Sequence, residues 1–370
     1  MAAHAAVFAN PYLLSSLCLL IFTNEDLMKK TGQILALAGF VISIGLAGVV
    51  TARADDQKLL NVSYDPTREL YAQYNDAFAK HWAQLHPGST VQLQISNGGS
   101  GAQAQAVIAG LGADVVTLAV KSDIDAISKA GLLRADWEGQ FPNRSLPYTS
   151  TIVFLVRHGN PKGIHDWSDL IKDGVQVVTP NPKTSGGARW AYLGAWAWAA
   201  KQYGGDHDKE VGFIKALYSH VPVLDSGARG STVTFTQKGI GDVELAWEND
   251  ANLAVAQFGA DQYDIVYPPQ SILAEPPVAL VDKNVDAHNT RAVATEYLNY
   301  LYSPEGQTIE AANHYRPSRP DLVTDKSLLA AFPKVNLVTI EDPIFGGWAK
   351  AQPYHFGSGG IFDQIYKPGQ

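Results

Sequence analysis

The stretch Pro180-Asn181-Pro182-Lys183-Thr184-Ser185-Gly186-Gly187-Ala188-Arg189-Trp190 sets a hydroxyl and two adjacent glycines between a lysine and an arginine. A β-branched run, Val175-Gln176-Val177-Val178-Thr179, precedes it, and an Ala-, Leu- and Trp-rich run closed by Gly204-Gly205 follows. The order reads as strand, tight turn and helix. Ser185 then falls at the helix N-cap, and Gly186, Gly187 and Ala188 fall in the first turn, where backbone N–H groups have no partner inside the helix. Two residues without a β-carbon let a ligand reach that backbone. The chemistry on offer is anion capture by oriented N–H groups. A plain capped turn has the same pattern, so one such stretch decides little.

Three further stretches repeat the arrangement. Val91–Ser96 alternates like a strand and runs through Asn97-Gly98-Gly99-Ser100-Gly101 into a helical stretch, Ala102 to Leu111. Asp225-Ser226-Gly227-Ala228-Arg229-Gly230-Ser231 opens a helix over Thr232–Lys238. Leu59–Ser63 leads through Tyr64-Asp65-Pro66 into a helix at Thr67. If the four starts converge, they surround an anion with backbone donors. Motifs for bond-making chemistry are missing. Ala102 stands where a nucleophile elbow needs its last glycine, and no Gly-rich loop ends in Gly-Lys-Ser/Thr. His81 and His86 are spaced wrongly for one helical metal face, and the other histidines are scattered. Glu244 and Glu248 flank an apolar strand and read as rim groups; Trp196 and Trp198 read as a buried helix face. No catalytic residue, metal site or cofactor is therefore assigned.

The elements that must position these turns alternate. Strands are expected at 58–63, 91–96, 114–120, 151–157, 175–179, 242–247 and 278–281. Helices are expected at 67–85, 122–130, 167–172, 190–203, 208–218, 290–301 and 305–313. Such βα alternation implies an α/β fold with mixed sheets flanked by helices. The chain has 370 residues, enough for two domains. Its start reads differently. Met28-Lys29-Lys30 is a basic segment, Ile34–Val50 is apolar, and Thr51-Ala52-Arg53-Ala54 ends in a cleavage pattern before Asp55. Residues 28–54 read as a signal peptide and 1–27 as an upstream extension, since Met1 and Met28 are the only methionines. Losing residues 1–54 removes Lys29, Lys30 and Arg53 with Glu25 and Asp26, so the net charge moves from −8 to −9. An acidic chain argues against nucleic acid as a partner. The single cysteine, Cys18, lies upstream of Met28, so the processed chain has no disulfide. Export without cysteine suits a bacterial periplasm.

Five stretches carry a resemblance that spans residues 57–366: Val62-Ser63-Tyr64-Asp65-Pro66-Thr67-Arg68-Glu69, Gly98-Gly99-Ser100-Gly101, Ala113-Asp114-Val115-Val116-Thr117-Leu118-Ala119, Asn181–Arg189 and Glu244-Leu245-Ala246-Trp247-Glu248-Asn249. With them the chain resembles the periplasmic sulfate-binding protein family, its thiosulfate-binding branch included. The resemblance implies a two-lobed periplasmic-binding-protein fold of type II, closing on one dianion about two crossover strands near Tyr148–Val156 and Ile272–Val281. It puts residues 57–147 with 278–366 in one lobe and 148–277 in the other. It implies as ligands the N–H of Asp65, the Ser100 turn, the Ser185 hydroxyl, the N–H groups of Gly186, Gly187 and Ala228, and the indole N–H of Trp247. The Asp65 carboxylate is expected to point away as a cap. The family often has a lysine after Gly101, where this chain has Ala102-Gln103. The implied partners are sulfate or thiosulfate and the membrane permease of an ABC importer, with the protein as a monomer. A broader oxyanion binder and a hydrolase of sulfate esters are the alternatives; the second lacks a base or nucleophile among the implied ligands. Arg68, Arg189 and Arg229 sit beside three of the turns with no role that sequence assigns.

The export reading makes a prediction. N-terminal sequencing of the exported protein should begin at Asp55, and a membrane-held chain retaining Ile34–Val50 would refute it.

Overall fold

Two sheets organise residues 56–366, the part of the chain described by the computed structural model. The expected extension, signal segment and cleavage point lie outside those residues. Among the described residues no helix is long and apolar enough to cross a membrane. The first sheet holds β1 (Gln57–Tyr64), β2 (Val91–Gly98), β3 (Val115–Thr117) and β11 (Val278–Leu280), in the order β11-β3-β1-β2. β1 runs parallel to β2 and β3, and β11 runs antiparallel to β3. The second sheet holds β5 (Ile152–Arg157), β6 (Val177–Pro180), β7 (Leu224–Asp225), β8 (Val243–Trp247) and β9 (Tyr263–Val266), in the order β7-β6-β8-β5-β9. There β6 is parallel to β7 and β8, while β5 is antiparallel to β8 and β9. Every residue of β3, β6 and β8 is buried. Both faces of these strands are covered, which is why their sequences are apolar runs instead of alternations.

Helices cover the sheets. α1 (Arg68–Leu85) buries Leu70, Tyr71, Tyr74, Phe78 and Trp82, a single stripe at helical spacing. α2 (Ser100–Ile108) and α3 (Lys121–Lys129) complete the first layer, and α4 (Pro142–Ser145) is a single left-handed turn, with Asn143 and Arg144 at φ 52° and 58°. α5 (Gly186–Tyr203) is buried on all sides from Gly186 to Ala200, as an Ala- and Trp-rich helix must be. Gly204 ends it at φ 65°, a left-handed conformation that glycine adopts without strain. α6 (His207–Ser219) packs on α5 through Trp198 and Phe213, whose rings lie 4.7 Å apart. α7 (Ala228–Thr236) and α8 (Glu248–Phe258) follow β7 and β8. α9 (Asp282–His288), α10 (Arg291–Tyr300) and α11 (Pro304–Ala312) return to the first sheet's side, and α12 (Ser327–Ala330), α13 (Trp348–Ala351) and α14 (Ile361–Ile365) end the chain.

The chain passes between the sheets where β4 (Tyr148–Thr149) meets Ser150 and where β10 (Ser271–Ile272) leads to Ala274. The two passages are tied to each other: Ser150 and Ala274 exchange both backbone hydrogen bonds at 2.9 Å. β13 (Leu337–Val338) runs parallel to β10, and β12 (Arg316–Pro317) pairs with β4. The stretch from Trp348 to Phe362, expected with the first lobe, makes its ring contacts with α5 and α6. Trp348 meets Trp190 edge-on at 4.9 Å, Phe356 meets Tyr192 at 5.0 Å, and Phe362 meets Tyr218 at 5.1 Å.

The strands at 58–63, 151–157 and 242–247 fall where sequence puts them. The helix expected from Ala102 begins at Ser100, and the one expected from Trp190 begins at Gly186. α8 and α9 are not foreseen. α8 buries only Glu248, Asn249, Ala251 and Ala254, so no stripe of large apolar residues announces it. Glu244 and Glu248 are not rim groups but buried ones, at 2% and 0% exposure. Glu244 accepts a hydrogen bond from the Thr232 hydroxyl at 2.9 Å, and burial pushes its carboxyl up to about 8. Glu248 holds Arg316 through two bonds of 2.7 Å.

Glu244 makes stability depend on pH. Its folded value of about 8 lies above the usual 4.5, so between these pH values the folded chain keeps a proton that the unfolded chain has lost. The contribution is whole below about pH 4.5 and is lost as pH rises toward 8, with a slope of at most about 1.4 kcal/mol per pH unit. Glu244→Gln, which mimics the protonated acid, should flatten the fall in urea-unfolding free energy between pH 5.5 and 7.5. An unchanged slope would mean that Glu244 is ionised at neutral pH.

Candidate functional site

Five loops leave the C-terminal ends of strands and pass straight into helices. From the first sheet come Asp65 after β1, opening a 3-10 turn at Asp65–Thr67, and Gly99 after β2, leading into α2 at Ser100. From the second come Ser185 before α5, Gly227 before α7, and Trp247 at the boundary of β8 and α8. The carboxyl ends of parallel strands are where α/β sheets bind ligands. Each helix start also carries N–H groups that its own helix cannot use.

All seven expected residues meet there. Ser185 is the N-cap of α5, and its Oγ accepts from the Ala188 N–H at 3.3 Å, which leaves the hydroxyl proton free to donate. A β-carbon on Gly186 would lie 2.5 Å from the Ala119 β-carbon and 3.0 Å from that of Ser100. A β-carbon on Gly187 would collide with the Trp247 indole nitrogen. These two glycines thus bring the Ser185 loop against Ser100 and Trp247. Gly227, next to Ala228, presses on the Asp65 carboxylate and lies close to the Gly99 nitrogen. Trp247 is 2% exposed, and its ring lies 5.2 Å from that of Tyr64. Its indole N–H is buried with no hydrogen-bond partner in the protein. Leaving such a donor unmet costs about 1–3 kcal/mol.

Charged groups stand one step back. The Ser100 hydroxyl donates to Asp123 Oδ2 at 2.6 Å and accepts from the Ala119 N–H at 3.0 Å. The contribution left to the Ser100 turn is its backbone N–H, at the first position of α2. Asp123 Oδ1 receives Arg189 Nη1 at 2.6 Å, and Arg189 Nε donates to the Pro182 carbonyl at 2.9 Å. Both residues are buried, so Arg189 and Asp123 neutralise one another behind the donors. Arg68 lies 3.9 Å from Asp65 and Arg229 lies 3.7 Å from Glu69; both arginines are largely exposed. Burial pushes the Asp65 carboxyl up, opposed by Arg68 and by a hydrogen bond from the Arg229 N–H. Burial beside Glu69 and Asp65 pushes Asp250 up to about 8. The converging donors are therefore neutral: amide, hydroxyl and indole.

A family model for bacterial extracellular solute-binding proteins matches residues 60–316. A sulfate-binding protein of Salmonella typhimurium is 56% identical over 340 residues, covering 92% of this chain and all of the relative. This chain belongs to the sulfate-binding protein family. A thiosulfate-binding protein of Pseudomonas aeruginosa is 49% identical over 89% of this chain and 97% of its own length. The solved structure of the sulfate-binding protein SubI from Mycobacterium tuberculosis is 31% identical, with a TM-score of 0.71 over 81% of this chain and 99% of that one.

Against that family background, three features of the site were not legible in advance. Asp123 sits in the first turn of α3, where an acidic residue is commonplace, and no spacing in the sequence ties it to Ser100 or Arg189. Asn249 donates to the Pro66 carbonyl at 3.2 Å and to the Tyr315 hydroxyl at 3.0 Å, joining α8 to the Asp65 turn. The Asp65 carboxylate does not simply point away, because it reaches the start of α7 on the other sheet. The departure at Ala102-Gln103 is explained locally. Gln103 Nε2 donates to the carbonyls of Ser63 and Ser96 at 3.1 and 2.6 Å and so ties β1 to β2. His81 bonds Glu296 at 2.8 Å, and His86 lies against Trp82 with ring centroids 3.9 Å apart.

The unpartnered indole gives a direct test. Trp247→Phe keeps an aromatic ring and deletes the donor. Calorimetric affinity for the oxyanion that the parent protein binds best should fall roughly 10- to 150-fold, the worth of one charge-assisted bond of about 1.5–3 kcal/mol. Parent-like affinity would remove Trp247 from the site.

Proposed function

We propose that the protein captures sulfate between two lobes and hands it to a membrane ABC importer from the periplasm, acting as a monomeric binding protein and not as an enzyme. The Asp65 N–H, the Ser100 turn, the Ser185 hydroxyl, the N–H groups of Gly186, Gly187 and Ala228, and the Trp247 indole are its ligands. The first lobe is taken as 57–147 with 278–366 and the second as 148–277, the last turns leaning on the second. The observation that carries the reading is the buried Trp247 N–H, unpartnered and set among helix N-termini. Relatives named for sulfate and thiosulfate support the choice of anion. Each bond to a charged group contributes roughly 1.5–3 kcal/mol, and several of them outweigh the costs of association and closure enough to reach about −8 kcal/mol, which is micromolar affinity. Hydrolysis needs a positioned base or nucleophile, and amide, indole and a single capping hydroxyl supply neither.

A donor-only site also selects. Sulfate carries no proton at neutral pH and accepts from every group. Hydrogen phosphate carries one, which needs an acceptor. The nearest carboxylates face other groups, Asp65 the Arg68 guanidinium and Asp123 the Ser100 hydroxyl and Arg189. Sites built on buried polar complementarity discriminate by about 10⁴ or more. Calorimetry of residues 55–370 with sulfate, thiosulfate, molybdate and phosphate should therefore find phosphate at least about a thousandfold weaker than sulfate at pH 7. Phosphate competing within about tenfold would place an acceptor in the site and end the donor-only reading. A stronger response to thiosulfate than to sulfate would move the preference to that anion.

A further inference from the structure

The helix starts of the two halves meet across the cleft. The Thr184 carbonyl, from the Ser185 loop of the second sheet, accepts the N–H groups of Gly101 at 3.0 Å and Ala102 at 3.3 Å, in the first turn of α2. In return the Asp65 carboxylate, from the first sheet, reaches the start of α7, where a β-carbon on Gly227 would meet its Oδ2. The Thr184 hydroxyl donates to the Ser226 carbonyl at 2.7 Å and so joins the two second-sheet loops that face Gly99. The Thr184 cap replaces water on the start of α2 only when the halves are together.

Two glycines stand at these contacts. Gly99 has φ −59° and ψ 130°, and Gly227 is extended at φ −158° and ψ 171°. Any L-residue adopts either conformation, so the backbone of neither turn calls for glycine. What calls for it is the opposite half. A β-carbon on Gly99 would lie 2.6 Å from the Thr184 carbonyl oxygen and 2.7 Å from that of Ser226. A β-carbon on Gly227 would collide with Asp65 Oδ2 and lie 3.3 Å from the Gly99 nitrogen. The nearest atoms in both cases belong across the cleft, and two of the four are backbone oxygens that cannot swing aside.

We infer that Gly99 and Gly227 are positioning residues for closure: their missing β-carbons let the Thr184 cap form and the Asp65 carboxylate approach α7, and so bring the two half-sites to bonding distance of one anion. Substitution there leaves each half intact and wedges them apart. The anion then meets the donors of one half at a time, and the loss appears in how fast it leaves.

The inference rests on the proposed sulfate site, so the parent protein is titrated first. It should contract on binding, seen as a smaller radius of gyration by small-angle scattering. Contraction by no oxyanion of the panel would sink the functional reading and this inference together. Gly99→Ala and Gly227→Ala are then compared with Gly212→Ala, a site in α6 where an added β-carbon meets nothing within 4 Å. Both cleft variants should bind sulfate at least about a hundredfold more weakly, mostly through faster dissociation, and should keep their unliganded radius at saturating sulfate. Their unliganded melting midpoints should stay within about 3 °C of the parent, since nothing in either half is crowded. Parent-like affinity and contraction in both variants would overturn the inference with the functional reading left standing. A midpoint lowered by about 8 °C or more in both, with Gly212→Ala unaffected, would assign these glycines to the fold instead.

Discussion

The structure depends on one constraint: a helix cannot satisfy the first N–H groups of its own backbone. Five strand-to-helix turns bring such groups, or the side chain beside them, into one region between two sheets. Some are met by the protein, as when Thr184 caps α2. The Trp247 indole N–H is met by no group of the protein, and on the proposed reading it is left, with the rest, to a ligand. An anion is the natural complement, because partial positive charge gathers where these helices begin. The charge of the chain as a whole, −8, has no part in this; the attraction is local and built from backbone.

Full charges are handled by pairing. Arg189 faces Asp123, and Glu248 faces Arg316. A lone buried arginine at the donors would bind many anions, and it would bind them whatever their protonation. Setting Arg189 behind Ser100 and spending its charge on Asp123 keeps the contact surface neutral and directional. Breaking such a pair on one side leaves an uncompensated buried charge, which is costly. The arrangement therefore holds the Ser100 and Ser185 loops in register as well as insulating them.

The sequence shows the turns that the structure brings together and conceals their supports, for a physical reason. A turn such as Ser185-Gly186-Gly187 announces itself because capping and first-turn chemistry are local, fixed by neighbours in the chain. Strands β6 and β8 were equally readable, since burial on both faces writes an apolar run. Asp123, Asn249 and the Thr184 carbonyl act through partners 66, 183 and 82 residues away or thereabouts, and no spacing encodes such pairs. α8 was missed because its buried residues are small or polar. Glu244 and Glu248 were misplaced at the rim because a carboxylate is rarely buried unless protonated or paired, and sequence shows neither condition.

The closing turns of the chain add an ordering in time. Lys183, two residues before the capping serine, donates to the carbonyls of Phe356 and Gly357 at 3.0 and 3.2 Å and meets Asp363 at 2.6 Å. The bed under α5 is finished by Trp348, Phe356 and Phe362. The lysine's anchors are made more than 170 residues after the loop they steady. During synthesis from the N-terminus, the serine loop waits for nearly the whole chain before its footing exists, and contacts of such long separation form slowly. Binding competence is thus among the last properties the growing polypeptide acquires.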